Sequence, residues 1–489
     1  MAGQPQQEPV LAELFSSHAL NTKFTDLTPD AVAQAKVFIL DTLGVGIAGS
    51  SAYGADTIIK SAMSWDGSGP SGSSSGASSA SGQATLWGRS ARAPSAGIAA
   101  MVNGFQVHCQ EYDCVHEGAV MHPLATLLPA VMAFADKHDR AISGRELIVA
   151  CAVGVNVSAG LGIAAKSPMR FFRPATAGGF GAAAAVGRLM GLDEETLVRA
   201  FGLQYTQTSG TLQPHVEGSA ALPLQVGFNS RAALQACDLA QAGMPGTRDC
   251  FEGTYGYLPL IEGPVPWDLS GTMEGINGRR WLIAEISHKP YPAGRATHGG
   301  VEGILELMKQ GGSTVTPDQI ENITITGPPV TARLCSRPDI ENPPPNYARL
   351  CMSYIGAKVV LNNKPVDLAH YRGQELTDTV THDLARRIRM VSDGGDDPAA
   401  LVPISVEMKV QGEAKARSWR CEQMLASPTR RLPREQHLTK FRRCWEFSAE
   451  PLPEKNRDRL IALVDDLENL GDIRALTDMM APPAASARL

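Results

Sequence analysis

Hydrophobic positions along this chain follow two rhythms, and the change falls near Trp281. From Ala31 to about Leu260 apolar residues recur at roughly helical spacing, with little convincing strand pattern between them. Thr28-Pro29-Asp30 supplies an N-cap, a first-turn proline and a first-turn acid, which predicts a helix over Ala31–Leu43. Ser143-x-x-Glu146 is a capping box opening the apolar run Leu147–Ala152 and beyond. Phe180–Met190 is an Ala-rich helix ended by Gly191, and Asp193 caps the next one. Small residues in these helices permit close backbone approach and suit a compact helical body. Gly67–Gly82, almost pure Gly, Ser and Ala, predicts a mobile surface loop.

Beyond Trp281 a period of two enters. Thr316-Pro-Asp-Gln319 starts a short turn, and Asn322–Thr326 alternates as a strand. In Ser405–Val410, Val406, Met408 and Val410 share one face while Glu407 and Lys409 take the other. Gly412 can turn this strand into a partner near Arg417–Glu422. Helical spacing returns from Pro433 to Met480. The prediction is a mainly α protein with an inserted α+β domain: residues 1–283 all-helical, 284–428 α+β, and 429–489 rejoining the helical body.

Length and composition support this and narrow the function. A chain of 489 residues is too long for one simple core, so two domains are the natural prior. Its mean hydropathy of -0.10 and net charge of -6 fit an ordinary globular protein. The absence of a basic stripe argues against a nucleic-acid partner. No apolar run matches the ~18–20 residues of a spanning helix, and Val149–Ala165, interrupted by Asn156, reads as a buried core helix. The first residues lack a basic start followed by an apolar block, so no secretory signal is expected. Nine scattered cysteines suggest free thiols in a reducing compartment. A cytoplasmic location is expected; the final Ala487-Arg-Leu489, loosely like a peroxisomal address, gives the alternative.

Candidate chemistry concentrates between Asn103 and Pro123, in NGFQVHCQEYDCVHEGAVMHP. This stretch holds three of the 11 histidines (His108, His116, His122), three acids (Glu111, Asp113, Glu117) and Cys109 and Cys114, between apolar flanks. Polar groups in apolar surroundings have perturbed proton affinities, which marks a functional-site candidate. A zinc reading of His108-Cys109-x4-Cys114-x-His116 lacks a second ligand pair at a suitable distance. Gly44-x-Gly46-x-x-Gly49 follows a capped helix rather than a strand, against dinucleotide binding, and a second match at Gly67–Gly72 lies in the low-complexity loop. Asp393-Gly-Gly-Asp-Asp397 lacks the closing Glu of a calcium loop.

Five segments together resemble one family. Lys36–Ser50 is similar to its N-terminal helix signature. Asn103-Gly104…His108-x-x-Glu111-Tyr112-Asp113…His122-Pro123 resembles its N-G…H-x-L-D-F-D-D-T-H…H-P-S block. Phe180–Leu192 resembles its F-G-A-A-A-A-A…L-L-G-L helix, Lys289–His298 its K-P-Y-P…R…T-H turn, and Ala348–Tyr354 its A-R-F-S-x-P-Y segment. On this basis the chain is identified as a divergent member of the MmgE/PrpD family, which includes 2-methylcitrate dehydratases, cis-aconitate decarboxylases and an iminodisuccinate epimerase. The resemblance implies a large all-helical domain, a smaller α+β lid, an active site in the cleft between them, a homodimer, a small carboxylic acid as substrate, and no metal or organic cofactor.

Such substrates build negative charge on carboxylate oxygens, so a site needs a base, an acid and fixed donors. The resemblance makes His122 the general acid/base, with Lys289, Asp113 and Glu111 as further catalytic candidates. His116, Phe172, Leu222, Tyr291, Arg295 and His298 are candidate substrate contacts. Glu117 has no counterpart in the motif and reads as a solvated loop acid. Several positions depart from the family. Glu111 replaces the first Asp of the block, Cys114-Val115 replace Asp-Thr, and Leu124 replaces Ser. Phe172 stands where the family often has His, and Leu222-Pro-Leu-Gln225 replaces Lys-x-Leu-His. A site stripped of these polar groups implies a less charged substrate. The expected function is a lyase dehydrating an alkylated or partly apolar citrate. Alternatives are a cis-aconitate-type decarboxylase and an isomerase or epimerase of specialised metabolism. The retained Glu111, Asp113, His122 and Lys289 argue against an inactive paralogue.

Overall fold

The computed structural model describes residues 9–65, 84–263, 265–310 and 315–482. The Gly67–Gly82 segment and the terminal Ala-Arg-Leu lie outside the described residues. The molecule is mainly helical, with a small α+β part.

Two apolar cores organise it. The larger gathers buried side chains from Leu11 to Ile286, adds Leu350, and takes up Phe441 to Met480 from the C-terminal helices. The smaller is drawn from Tyr291 to Met424. Local signals in the sequence set many element ends in the first core. Thr28 Oγ1 accepts from Ala31 N at the start of the helix Pro29–Gly49, and Ser143 closes a capping box on Gly144–Ala164. Gly191, with φ of 74°, ends Arg173–Met190, and Asp193 caps Glu194–Gln207. The Gly44–Gly49 motif lies inside the helix Pro29–Gly49, where it cannot wrap a pyrophosphate. These glycines serve packing instead: a Cβ at Gly49 would overlap the Gln106 carbonyl on the helix Ala96–His108. Pro29–Gly49 and Gly144–Ala164 are in fact long and apolar enough to cross a membrane by length and composition, contrary to the sequence expectation, and most of each is buried in the protein. Besides the helices this part carries one short pair, β1 (Ala84–Thr85) with β2 (Arg92–Ala93).

The smaller core lies on a four-stranded sheet of β3 (Ile320–Gly327), β4 (Ile388–Ser392), β5 (Ile404–Val410) and β6 (Arg417–Cys421), in the order β4-β3-β5-β6. β3 pairs parallel to β4 and antiparallel to β5, and β5 turns into β6 past Gly412, φ 79°. Ile404, Val406, Met408 and Val410 are buried while Glu407 and Lys409 are exposed, as the alternation predicts.

Candidate active site

The helix Ala96–His108 delivers the site. It is held close to the helix Ala221–Gln241, where a Cβ at Gly104 would approach Gly227 Cα to 3.0 Å. The chain then makes a loop, Cys109–His122, before Pro123 starts the next helix. Glu111 (φ 49°) and Val120 (φ 50°) sit in left-handed backbone there. That conformation is unfavourable, most of all for a β-branched residue, so the loop must be held from outside. It is held on three sides. Val115 and Ser287 exchange backbone hydrogen bonds at 3.0 and 2.8 Å. The buried Arg173, paired with Glu262 at 2.9 Å, donates to the Ala119 carbonyl. Lys440, from the helix Arg434–Glu446, donates to the Tyr112 carbonyl at 2.8 Å and lies 2.7 Å from Asp41.

This bracing brings five titratable groups together. Asp113 Oδ2 lies 2.9 Å from His108 Nδ1 and 3.0 Å from His122 Nδ1. The two imidazoles are 4.8 Å apart, edge to face. Lys289 Nζ, fully buried, donates to Glu111 Oε2 at 2.8 Å and lies 3.8 Å from Asp113 Oδ1. Burial would raise both carboxyls. The surrounding charges overcome it: Lys289 and the two histidines hold Glu111 down at about 2, and His122, His108 and Lys289 hold Asp113 well below the usual range. The histidines move in opposite directions. Burial lowers His122 despite Asp113, whereas at His108 the charges of Asp113 and Glu111 overcome burial and raise it. His122 Nδ1 faces Asp113 at 3.0 Å without a well-aligned hydrogen bond, and with its proton on that nitrogen a neutral His122 presents the lone pair of Nε2.

His108, Glu111 and His122 open on a cavity whose lining comes from both cores. Arg295 lines it and pairs with Glu117 at 2.8 Å. Glu117 is thus an engaged cavity acid, which also accepts from Ser287 Oγ, rather than a solvated one. Phe172 forms part of the wall, 5.3 Å from the His108 ring, with Met169, Leu334 and Leu350.

Four of the candidate contacts lie elsewhere. His116 Nδ1 accepts from Ala119 N and closes the loop on itself. Tyr291 and His298 pack on each other at 4.1 Å and brace the turn after Lys289, with Tyr291 Oη donating to the His298 carbonyl. Leu222, 2% exposed, belongs to the larger core and is not among the cavity's lining residues. Its apolar role there falls to Val115, which the sequence marks as replacing a polar family residue, and to Val120 and Leu401, which carry no signal in a single sequence. His215, also unsuspected from sequence, lines the cavity as well.

Two clusters have the composition of a metal site, His108/Asp113/His122 and Asp41/His288/His437, each with ligand atoms within 4.8 Å of one another. Neither suits an ion well. Asp113 and Glu111 favour the protonated form of His108, which has no lone pair to offer, and the Lys440 ammonium already occupies Asp41.

Residues 13–270 match the MmgE/PrpD N-terminal domain and residues 291–469 the MmgE/PrpD C-terminal domain. The chain belongs to the MmgE/PrpD family. Among its curated relatives, the cis-aconitate decarboxylase of Mus musculus is 24% identical, with 97% of this chain and 94% of that protein covered. The cis-aconitate decarboxylase of Homo sapiens is 23% identical at 97% and 95% coverage. A cis-aconitate decarboxylase-like protein of Aspergillus oryzae is 26% identical over 62% of each chain. Within this MmgE/PrpD member the His-Pro histidine and the Lys-Pro-Tyr-Pro lysine converge on one carboxylate, Asp113.

Proposed function

We propose that this protein is a lyase acting on a citrate-like carboxylic acid with an apolar substituent, and that it decarboxylates it. The observation that carries the proposal is the single Asp113 oxygen shared by His108 and His122 at the edge of a largely apolar cavity. Residues 284–428 act as a lid on the helical body formed by 1–283 and 429–489. A carboxylate entering beside His122 adds negative charge where burial now disfavours the imidazolium, so substrate and proton bind together. In an unsaturated, aconitate-type acid the carbon–CO2 bond then breaks, and its electron pair passes into the neighbouring double bond and the carboxylate conjugated with it. The carbon takes the proton from His122 Nε2, CO2 leaves, and His122 is neutral again. Each turnover consumes one proton, as the overall equation requires. The apolar wall favours the step, because the localised charge of the reacting carboxylate is poorly solvated there and is dispersed as uncharged CO2 departs. The relatives named as decarboxylases support this reading over the dehydratase expected from sequence.

Dehydration of an alkylated citrate is the second reading, and the opposite shifts of the two histidines favour it. Neutral His122 can take a proton from carbon while the His108 imidazolium protonates the departing hydroxyl. Mass spectrometry of reactions with cis-aconitate, citrate, methylcitrate and alkylcitrates separates loss of CO2 from loss of water. His122→Ala is expected to abolish turnover with an unchanged circular-dichroism spectrum. Full turnover in that variant would refute both readings. The protein is further proposed to act as a homodimer, which light scattering checks against the chain mass of 51.9 kDa.

A further inference from the structure

Three cations around the cavity are matched: Lys289 by Glu111, Arg295 by Glu117 and Arg173 by Glu262. Arg337 is not. Its Nη2 donates to the carbonyls of His215 and Leu334 at 3.1 and 3.2 Å and lies 3.3 Å from His215 Nδ1. Its Nη1 is buried without a hydrogen-bond partner, and its guanidinium stacks 4.8 Å from the Tyr347 ring. The acid nearest in sequence, Asp339, is taken by His382 at 2.9 Å. Among the described residues Arg337 forms no ion pair.

A guanidinium only donates, so the tautomer compatible with this contact has Nδ1 of His215 as the acceptor and the imidazole proton on Nε2. Nε2 has no hydrogen-bond partner among the described residues, and His215 lines the cavity. Burial and the Arg337 charge lower His215 to about 4, so it is a neutral donor at physiological pH. The short helix Gln213–Glu217 sets its position, and Gly218, φ 67°, ends that helix against Tyr347, where a Cβ would not fit. The result is one N–H of fixed tautomer, backed by an unmatched positive charge, on the cavity wall.

We propose that His215, backed by Arg337, binds the substrate carboxylate that does not react, through an Nε2–H···O hydrogen bond. This rests on reading the cavity as a carboxylic-acid site. It assigns the cavity two poles. One carboxylate lies at His122, the other at His215, and the apolar substituent lies on Phe172 and Leu334. The ligand class is an alkyl-substituted acid with two carboxylates set apart on its backbone. His215 and Arg337 determine specificity; the proton transfer stays with His122.

Isothermal titration of the full chain with butylsuccinate and with heptanoate, which lacks the second carboxylate, tests this. The expected result is that His215→Phe and Arg337→Met each weaken butylsuccinate at least 10-fold and leave heptanoate within about 2-fold. His215→Gln, whose amide can donate from near the Nε2 position, is expected to recover most of the loss. Equal weakening of both acids would reduce His215 to a packing role and overturn the proposal. So would unchanged butylsuccinate affinity in both variants, or no binding of either acid by the wild type. Arg337→Met leaves the cavity lining intact and stands as the independent variant if His215→Phe does not fold. The lyase reading fails separately: a His122→Ala protein that binds butylsuccinate normally, together with a wild type that turns over no acid, would sink it and leave the His215 pole standing.

Discussion

Asp113 does at residue scale what neither histidine can do alone. One carboxylate oxygen holds two imidazoles, and the geometry makes their proton affinities interdependent. Asp113→Asn preserves the shape and removes the charge. His108 then loses the largest cause of its raised affinity, and His122 loses the main attraction opposing burial. Turnover is expected to fall about 100-fold or more, the scale of losing positioned acid–base catalysis. The fall of activity toward high pH, set by His122 in decarboxylation and by His108 in dehydration, should also move to lower pH, because Asp113 raises the proton affinity of both. A pH–rate profile checks both, and a profile of unchanged shape with a smaller maximum would count against coupling through Asp113. Asp113 and His122 were legible in the sequence because they lie within one short loop and match a motif, and Glu111 because it keeps the charge of the Asp it replaces there. His215 and Arg337 were not, because 122 positions separate them and a single sequence carries no signal of such pairing.

Among the elements, the helix Arg434–Glu446 has the least expected part. The sequence predicts only that helical spacing returns there, after the α+β segment. In the structure Lys440 points inward, almost fully buried, between Asp41, the Tyr112 carbonyl and the Tyr112 ring at 4.3 Å. The helix Arg434–Glu446 thus holds the strained loop that carries Glu111 and Asp113. Burial raises Asp41 even with Lys440 beside it, so the pair is poised. Lys440→Met leaves a buried carboxyl without its cation and is expected to cost about 3–5 kcal/mol. Asp41→Asn in that background should return part of the loss. Denaturant unfolding of the two variants measures this, and a midpoint unmoved by Lys440→Met would show that the loop is held otherwise. Helix starts were readable because capping is local, within three or four residues. The packing of the C-terminal helix under the loop was not readable, because it is set by distant complementarity. The Gly44–Gly49 motif illustrates the converse, a local pattern whose meaning depended on the helix around it.

For the whole molecule, the change of rhythm near Trp281 anticipates two cores, while the membrane-like length of Gly144–Ala164 is masked in the sequence by Asn156, a polar residue amid the apolar run. Asn156 is buried, its Oδ1 accepting from Leu282 N and its Nδ2 donating to the Gly275 carbonyl, so the polar group ties the helix to the chain entering the α+β part. Such burial of polar groups has a consequence in solution. His18, His116 and His215 are lowered to about 4 and His437 to about 3, in each case chiefly by burial. A histidine lowered in the folded state binds its proton more readily once unfolded. Its contribution is therefore whole above pH about 6.5 and is lost progressively as pH falls toward 4. His108, raised in the fold, works in the opposite direction and offsets part of this. Glu111, held at about 2, adds a further loss once pH drops below the ordinary carboxyl range. A tenfold difference in proton affinity between the folded and unfolded chain is worth about 1.4 kcal/mol, so stability is expected to fall by several kcal/mol between about pH 7 and pH 4.5. Urea midpoints across that range measure it. The His437→Phe variant, which removes an imidazole with both ring nitrogens unpartnered, should show a shallower slope. A wild-type midpoint that stays level down to the acid end of that range would mean that these histidines are as easily protonated folded as unfolded.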